Sequence, residues 1–543
     1  MNISHKISLG IYLVIISFYE LNFFYNNFSG TDQIRHLAWI HFLRDTTHLF
    51  PTDFFYNYKT IFYDHYGFFY ELFRYAYKDI GHVLNIVPIL ITYIFSFFFG
   101  LTPNLLKIVS IIFSNLSIYI CFLICTKFIQ NHNKINKIII LLLFIFIFSV
   151  NNIFLYSSLG IHNISLFFFL IAIYYFIQKN NFYKFKTNFI LCFIISLACY
   201  SHKINALLLP AGVIFYFILN NKDYKKKIKE ILFSIINFFI FFSPIIILFF
   251  FTNSTVEDNL YYAQINLNFP QKLFNLKQWI TINYNNVGII NFTIFCLAIP
   301  YFFIIKRNEQ VFRIFSILFI HFIFSIFTDG FISYYIRTTL YSTFIILLIN
   351  FIFITFLISK SNKLPYAFIF ILAINFSIQF SYINNLDSIK KNRADYYNIY
   401  FYNLNDQYFT SISSILKKID KTTNGNRIVF NSNLSEDIYY VYSENNFKEV
   451  KFEKLRPTKN LIYYQKNKIL NKYLDKINFE KIEINNSYFL TINNQKDNIS
   501  KDFNDLDKSK IFLNKCNLEN NSIHEDNIFI GGKKIISLFK IKC

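Results

Sequence analysis

Ionisable side chains cluster directly after the first apolar run of the chain, in SGTDQIRHLAWIHFLRD at 29–45. Asp32 provides a carboxylate that could serve as a general base, and His36 is a candidate substrate-binding residue. Apolar residues recur through this stretch at helical spacing, which predicts an amphipathic helix lying on a membrane surface. Asp32 would stand at the start of that helix, so the alternative is that it acts only as a helix cap.

Other candidate residues lie near the ends of later apolar runs. His202 and Lys203 stand in ACYSHKINALLLP, and Arg337 stands in ISYYIRTTLYS. Such side chains could bind an anion, and a planar guanidinium suits the oxygens of a phosphate. The alternative is that these residues reach the lipid headgroups without a further role. His65 and Tyr66, in DHYGFFYELF, are candidate substrate-binding residues.

Long apolar runs must position these residues. Of the 543 residues, 54% are hydrophobic and only 16% are charged, which is typical of a membrane protein. The predicted fold class is an α-helical polytopic membrane protein, and the net charge of +21 does not indicate a nucleic-acid partner. About eleven transmembrane helices are predicted, at about 7–24, 105–125, 138–155, 161–178, 188–200, 205–220, 230–252, 286–305, 314–328, 338–358 and 364–380.

The apolar segment 81–100 decides the orientation of all later spans. Lysine and arginine in short loops favour the cytoplasmic side, and the basic loops alternate along the chain. If the amino terminus is cytoplasmic, the number of crossings before Lys127 must be even, and the spans at 7–24 and 105–125 already supply two. Segment 81–100, which contains Pro88, is therefore predicted to lie near the outer interface. This topology places residues 25–104 and the chain after 380 outside the cytoplasm.

After residue 380 the sequence becomes polar and charged. Residues 381–543 are predicted to form an extracytoplasmic soluble α+β domain behind the transmembrane domain 1–380. A helix is predicted at about 406–419, and IFIGGKKIISLFKI reads as a hairpin that turns at Gly531 and Gly532. Further strands are predicted at RIVFNS, IYYVYS, NLIYYQ and SYFLTI. Cys516 and Cys543 lie outside the predicted spans and could pair or stay reduced.

The first outer loop resembles that of the GT-C superfamily of membrane glycosyltransferases. The superfamily includes protein O-mannosyltransferases and enzymes that add aminoarabinose to lipid A. Their motif has an acidic residue or pair after the first span, then a helix, a proline and a Pro-Pro-Leu turn. Here Asp32 matches the acid and Pro51 the proline, but Gln33 stands where many relatives have a second acid. His65, Tyr66 and Gly67 replace the prolines of the turn. The resemblance covers about 1–360 as architecture and is specific over about 29–105.

The resemblance implies an enzyme of the bacterial inner membrane that uses a sugar carried on a polyprenyl phosphate or diphosphate. Asp32 would then be the general base, and His202, Lys203 and Arg337 would stabilise the departing phosphate. The acceptor would be a glycan, a lipid or a protein. Some relatives use a divalent cation, and the outer acids do not form a recognisable ligand pattern, so a metal stays open. No cofactor is otherwise implied.

Two other classes compete with this interpretation. A flippase or transporter for a lipid-linked sugar predicts charges near the middle of the bilayer, interrupted helices and an internal repeat. The span centres are mostly uncharged, and Pro210 and Pro244 are the only indications of helix breaks. A polysaccharide polymerase would use the same donors but relies on arginines in late outer loops, where Arg337 alone stands.

Overall fold

The computed structural model describes the helical part of the chain and one sheet. The described residues are 10, 13, 40, 86–100, 103–129, 137–148, 162–220, 223–251, 268–305, 308–328, 335–358, 364–384, 413–415, 417, 427–430, 451–454, 488–492, 522–530 and 533–541. The predicted span at 7–24 therefore lies almost wholly outside the described residues.

Twelve α-helices account for most of the described residues. They are α1 (Ile86–Phe99), α2 (Pro103–Ile129), α3 (Lys137–Phe148), α4 (His162–Gln178), α5 (Phe185–Cys199), α6 (Lys203–Leu219), α7 (Tyr224–Phe251), α8 (Phe269–Val287), α9 (Ile289–Pro300), α10 (Glu309–Phe327), α11 (Tyr335–Ile358) and α12 (Leu364–Asn384). A short π-helical turn, Tyr301–Ile305, follows α9. Each predicted span from 105–125 onward has a helix at its position.

Three described segments are long and apolar enough to cross a membrane: Ile108–Ile129, Glu309–Phe327 and Leu340–Ile358. A fourth is obtained if α8 and the helix that follows it, which are bent by 118° relative to each other, count as one span. The remaining apolar helices are shorter. The chain is thus a helical protein with helices of membrane-crossing length, whereas a total of eleven crossings stays a prediction.

The centre of the helical part is α11. Nearly all its side chains from Leu340 to Ile358 are buried. It packs against α2, α3, α8, α9 and α10. An apolar helix buried on every side belongs in the middle of a bundle, since it has no polar face to turn outward. Helix α7, which packs against α5 and α6, carries exposed apolar side chains such as Phe239.

Segment 81–100 contains the short helix α1. Its 14 residues are about 21 Å long at a rise of about 1.5 Å per residue. The hydrocarbon core of a bilayer is about 30 Å thick, so the described part of this segment is too short to cross it upright. The helix ends at Gly100, whose φ of 72° is readily adopted by glycine. The location of the segment at the outer interface stays a prediction.

The helix ends form two separate polar groups. At one end, Lys127 of α2 and Arg313 of α10 donate to carbonyl oxygens at the end of α4. At the other end, Asn163 at the start of α4 contacts Ser110 of α2, and His202 precedes α6. These groups are called the lysine end and the histidine end below. The alternation of basic loops along the sequence predicts that the helix ends form these two groups. Which side of the membrane each end faces stays a prediction.

A five-stranded mixed sheet follows in the described part of the tail. The strands are β1 (Arg427–Phe430), β2 (Lys451–Lys454), β3 (Tyr488–Ile492), β4 (Ser522–Ile530) and β5 (Lys533–Ile541). Their order is β2-β1-β3-β5-β4, in which β1 is parallel to β2 and β3, and β5 is antiparallel to β3 and β4.

Several strands in the tail were predicted from the sequence. β1, β3 and the hairpin of β4 with β5 coincide with predicted strands, and residues 531–532 separate the two hairpin strands. The prediction missed β2, whose KFEK sequence is mostly charged. Among the described strands β2 lies at the edge of the sheet, and charged residues are common on edge strands. The predicted strands at 438–443 and 460–465 lie outside the described residues, as does most of the helix predicted at 406–419.

Candidate functional site

The histidine end brings together two histidines that are 40 positions apart. His162 is the first residue of α4, and His202 immediately precedes α6. Their ring centroids are 4.9 Å apart with an interplanar angle of 78°. His202 also lies 6.4 Å from the ring of Tyr341 in α11. The side chains of His162 and His202 are buried, with 8% and 3% exposure, so the pair lies within the protein rather than on its surface.

Hydrogen bonds connect Tyr341 to the helices that carry the histidines. Its hydroxyl shares a hydrogen bond of 2.7 Å with Ser165 Oγ of α4. Ser165 Oγ also accepts from Asn205 Nδ2 of α6 at 2.9 Å. The same amide donates to the carbonyl oxygen of Ala198 at 3.0 Å, which adds α5 to the network. Four helices therefore meet at Tyr341 and hold its phenol beside the histidine pair.

Two buried amide oxygens at the histidine end have no hydrogen-bond partner among the described residues. Asn163 Nδ2 donates to Ser110 Oγ at 2.6 Å, while its Oδ1 does not accept a hydrogen bond from the described residues. The same is true of Asn205 Oδ1. Both side chains are fully buried. An unsatisfied buried acceptor costs about 1–3 kcal/mol, so such groups are uncommon and call for an explanation.

Two of the predicted cations lie in the first turns of helices at this end. Lys203 is the first residue of α6, and Arg337 lies in the first turn of α11, four positions before Tyr341. The backbone therefore places Arg337 one helical turn from a residue that contacts His202. The side chains of Lys203 and Arg337 lie outside the described residues. The same holds for Asp32, His36, His65 and Tyr66, so their roles stay predictions.

Sequence reasoning singled out His202 but missed most of its partners. His162 was not among the predicted site residues, and Ser165, Asn205 and Tyr341 lie within apolar runs where a single polar residue attracts little attention. The available signal was that polar residues inside apolar segments usually pair with one another. Which residues pair could not be read from the sequence, since these positions are up to 179 residues apart.

A second polar contact region joins α8 to α10 and α11. Trp279 Nε1 donates to His321 Nδ1 at 3.2 Å, and Ser342 Oγ donates to Asn283 Oδ1 at 2.8 Å. Ser342 directly follows Tyr341, so α8 adjoins the histidine end. Helix α8 ends at Gly288, whose φ of 81° and ψ of 159° form a conformation that only glycine adopts readily. The bend in this span therefore has a local cause in the sequence.

The side chains at this end offer hydrogen-bond donors and acceptors. Two imidazoles, one phenol and two free amide oxygens can exchange hydrogen bonds with a polar ligand. Within the described residues, no three His, Cys, Asp or Glu side chains come together as potential metal ligands. The outer acids considered from the sequence, Asp64, Glu257, Asp258 and Asp329, lie outside that part of the chain.

The chain was compared with known protein families and with curated proteins. Neither the family models nor the curated sequences match it.

Proposed function

We propose that this protein is a membrane glycosyltransferase. It would move a sugar from a polyprenyl-phosphate-linked donor to an acceptor on the extracytoplasmic face of the membrane. The observation that carries the proposal is the buried group of His162, His202 and Tyr341 at the same end as the starts of α6 and α11. Lys203 is the first residue of α6 and Arg337 lies in the first turn of α11, so a phosphate could bind beside this polar group. The motif around Asp32 supports the same reaction.

In the proposed reaction, Asp32 accepts the proton of the acceptor hydroxyl. The acceptor oxygen forms a bond to the anomeric carbon of the sugar while the bond from that carbon to the phosphate oxygen breaks. The electron pair of the broken bond leaves with the polyprenyl phosphate. Lys203 and Arg337 would stabilise the negative charge on that phosphate. The reaction is thus balanced without an oxidant or a reductant.

The test is transfer of a labelled sugar from polyprenyl phosphate by the full chain in liposomes. A panel of lipid-linked sugars is used because the sugar is unknown. Asp32→Asn is expected to lower turnover by about 10²- to 10⁴-fold, the usual contribution of a general base. Asparagine caps a helix as well as aspartate does, so a residue that served only as a cap would tolerate this change. Undiminished turnover would therefore remove Asp32 from catalysis.

Asp223 provides a matched control for this substitution. Its carboxylate accepts from Lys225 N at 3.2 Å just before α7, at the end of the molecule opposite the histidine end. Asp223→Asn is expected to leave sugar transfer unchanged. Transfer absent from the unmodified protein with every donor of the panel would contradict the proposed activity.

A flippase for a lipid-linked sugar is the second candidate, and the break at Gly288 favours it. Transporters use interrupted helices, and α8 is bent by 118° relative to the helix after the break. Movement of the labelled lipid across the liposome membrane without any sugar transfer would identify this function. Transfer that depends on Asp32 would identify the enzyme.

A further inference from the structure

The two unpartnered amide oxygens at the histidine end point to a ligand that donates hydrogen bonds. Asn163 follows His162 in the chain, and Asn205 lies one helical turn after His202. Each amide nitrogen is already used, by Ser110 for Asn163 and by Ser165 for Asn205. Each nitrogen also donates to a backbone carbonyl oxygen, that of Ser110 at 3.3 Å for Asn163 and that of Ala198 at 3.0 Å for Asn205, which fixes the amide orientations because an amide oxygen cannot donate to a carbonyl. Only the acceptor oxygens are left, and both are fully buried.

The chemistry of an amide oxygen selects its partner. It accepts from hydroxyl, amine or amide N–H groups and repels the oxygens of a phosphate. A phosphate would instead be bound by cations such as Lys203 and Arg337, which the backbone places at the helix starts of this end. With these cations, the histidine end would offer a cationic part for an anion and a buried part for a neutral group rich in hydroxyls.

We infer that Asn163 and Asn205 bind hydroxyl groups of the sugar, whereas the phosphate of the same donor is bound elsewhere at this end. This inference rests on the proposed function, because it assumes a lipid-linked sugar as ligand. It deepens that proposal by assigning two residues to recognition of the sugar itself. Tyr341 and Ser165 act as positioning residues, since their hydrogen bond at 2.7 Å holds the amide of Asn205 in place.

The experiment measures binding of two kinds of lipid to the full chain in detergent. One is bare polyprenyl phosphate, and the other is the same lipid carrying glucose, mannose, galactose or arabinose. The unmodified protein is expected to bind at least one glycosylated lipid more tightly than the bare phosphate. Asn163→Leu and Asn205→Leu are each expected to lower that preference by about 2- to 12-fold, as loss of one neutral hydrogen bond does. Their affinity for the bare phosphate is expected to stay the same.

Asn350 supplies the matched control. It too is a fully buried asparagine whose amide nitrogen is bonded, to the carbonyl oxygen of Asn291 at 2.7 Å, and whose Oδ1 has no partner in the described residues. It lies deeper in α11, nine positions after Tyr341. Asn350→Leu is expected to lower thermal stability as the other two variants do, but to leave the preference for glycosylated lipid unchanged.

The outcomes separate the inference from the function on which it rests. A preference that Asn163→Leu and Asn205→Leu leave intact, or that Asn350→Leu lowers equally, would overturn the sugar-binding role. A protein that binds bare polyprenyl phosphate but prefers none of the glycosylated lipids would also overturn it. A protein that binds neither kind of lipid would contradict the proposed function as well. If one leucine variant does not fold, Asn→Ser at the same position repeats the test with a smaller change in volume.

Discussion

Arg313 is predicted to be the strongest polar contribution to stability at the lysine end. Its guanidinium is fully buried and donates to the carbonyl oxygens of Phe176 and Lys179 at the end of α4. It also lies between aromatic rings, 5.4 Å from Phe176 and 5.2 Å from Tyr216. A cation at a helix C-terminus is further favoured by the helix dipole. Arg313 also forms an ion pair with Glu309, in which Nη2 and Oε1 are 2.8 Å apart.

The carbonyl contacts of Arg313 are expected to contribute more to the free energy of unfolding than its ion pair with Glu309. Arg313→Met leaves the buried carbonyl oxygen of Phe176 without its donor, which costs about 1–3 kcal/mol, and also removes the donor of the part-buried carbonyl oxygen of Lys179. The Glu309 side chain is 48% exposed, and exposed ion pairs contribute about 0.2–1 kcal/mol. Glu309→Gln is therefore expected to lower the free energy of unfolding by no more than about 1 kcal/mol. The glutamine side chain can still accept the hydrogen bond that the Tyr216 hydroxyl donates to Glu309, through its amide oxygen.

Thermal unfolding in detergent, followed with a thiol-reactive dye, measures this difference. Cys121, Cys125, Cys192 and Cys199 are buried and become reactive only on unfolding. Cys296 is exposed, and Cys516 and Cys543 lie outside the described residues, so a background with serine at all three positions removes their contribution to the signal before melting. Arg313→Met is expected to lower Tm by more than Glu309→Gln does. Equal shifts would show that the ion pair, rather than capping of α4, dominates, and would refute the reasoning.

Three further predictions concern the backbone and use the same assay. A Cβ atom at Gly212 would lie 2.9 Å from the Cα atom of Ile317, so Gly212→Ala is expected to force α6 and α10 apart at a cost of about 1–3 kcal/mol. Gly10→Ala is the control, because no described atom lies within 4 Å of its added Cβ, and it is expected to leave Tm unchanged. Gly288→Ala is expected to cost about 1–3 kcal/mol because of its φ of 81°, and an unchanged Tm would mean that the bend does not need glycine. Asn308 Oδ1 accepts from two backbone N–H groups at the start of α10, so Asn308→Ala is expected to cost about 0.5–2 kcal/mol and Asn308→Asp to restore most of it.

The sequence predicted helices well because their main signal is local. Long apolar runs must form helices in a membrane, since every backbone group there needs a hydrogen bond within its own segment. The run at 338–358 is accordingly found in α11 (Tyr335–Ile358). The run at 286–305 differs from the prediction of a single helix. In the structure a separate helix begins at Ile289, and the preceding helix α8 extends from Phe269 to Val287. The reason is Gly288, whose left-handed φ ends α8 in a conformation that composition does not reveal.

The candidate site was predicted only in part. His202, Lys203 and Arg337 stand out in a sequence because charges and histidines are rare beside apolar runs. His162 and Tyr341 do not stand out, since their importance lies in contacts with residues far away in the chain. Four of the predicted site residues, Asp32, His36, His65 and Tyr66, lie outside the described residues and stay predictions.

By itself the sequence determined the helical class, the approximate positions of the helices and the grouping of their ends, because hydrophobicity and loop charge act locally. Tertiary structure alone decided that α11 is enclosed by its neighbours and that His162 meets His202 beside Tyr341. It also decided that Asn163 and Asn205 are left with buried free oxygens. These features arise from packing between distant segments, where a polar group taken from water must find its partner in three dimensions or go without one.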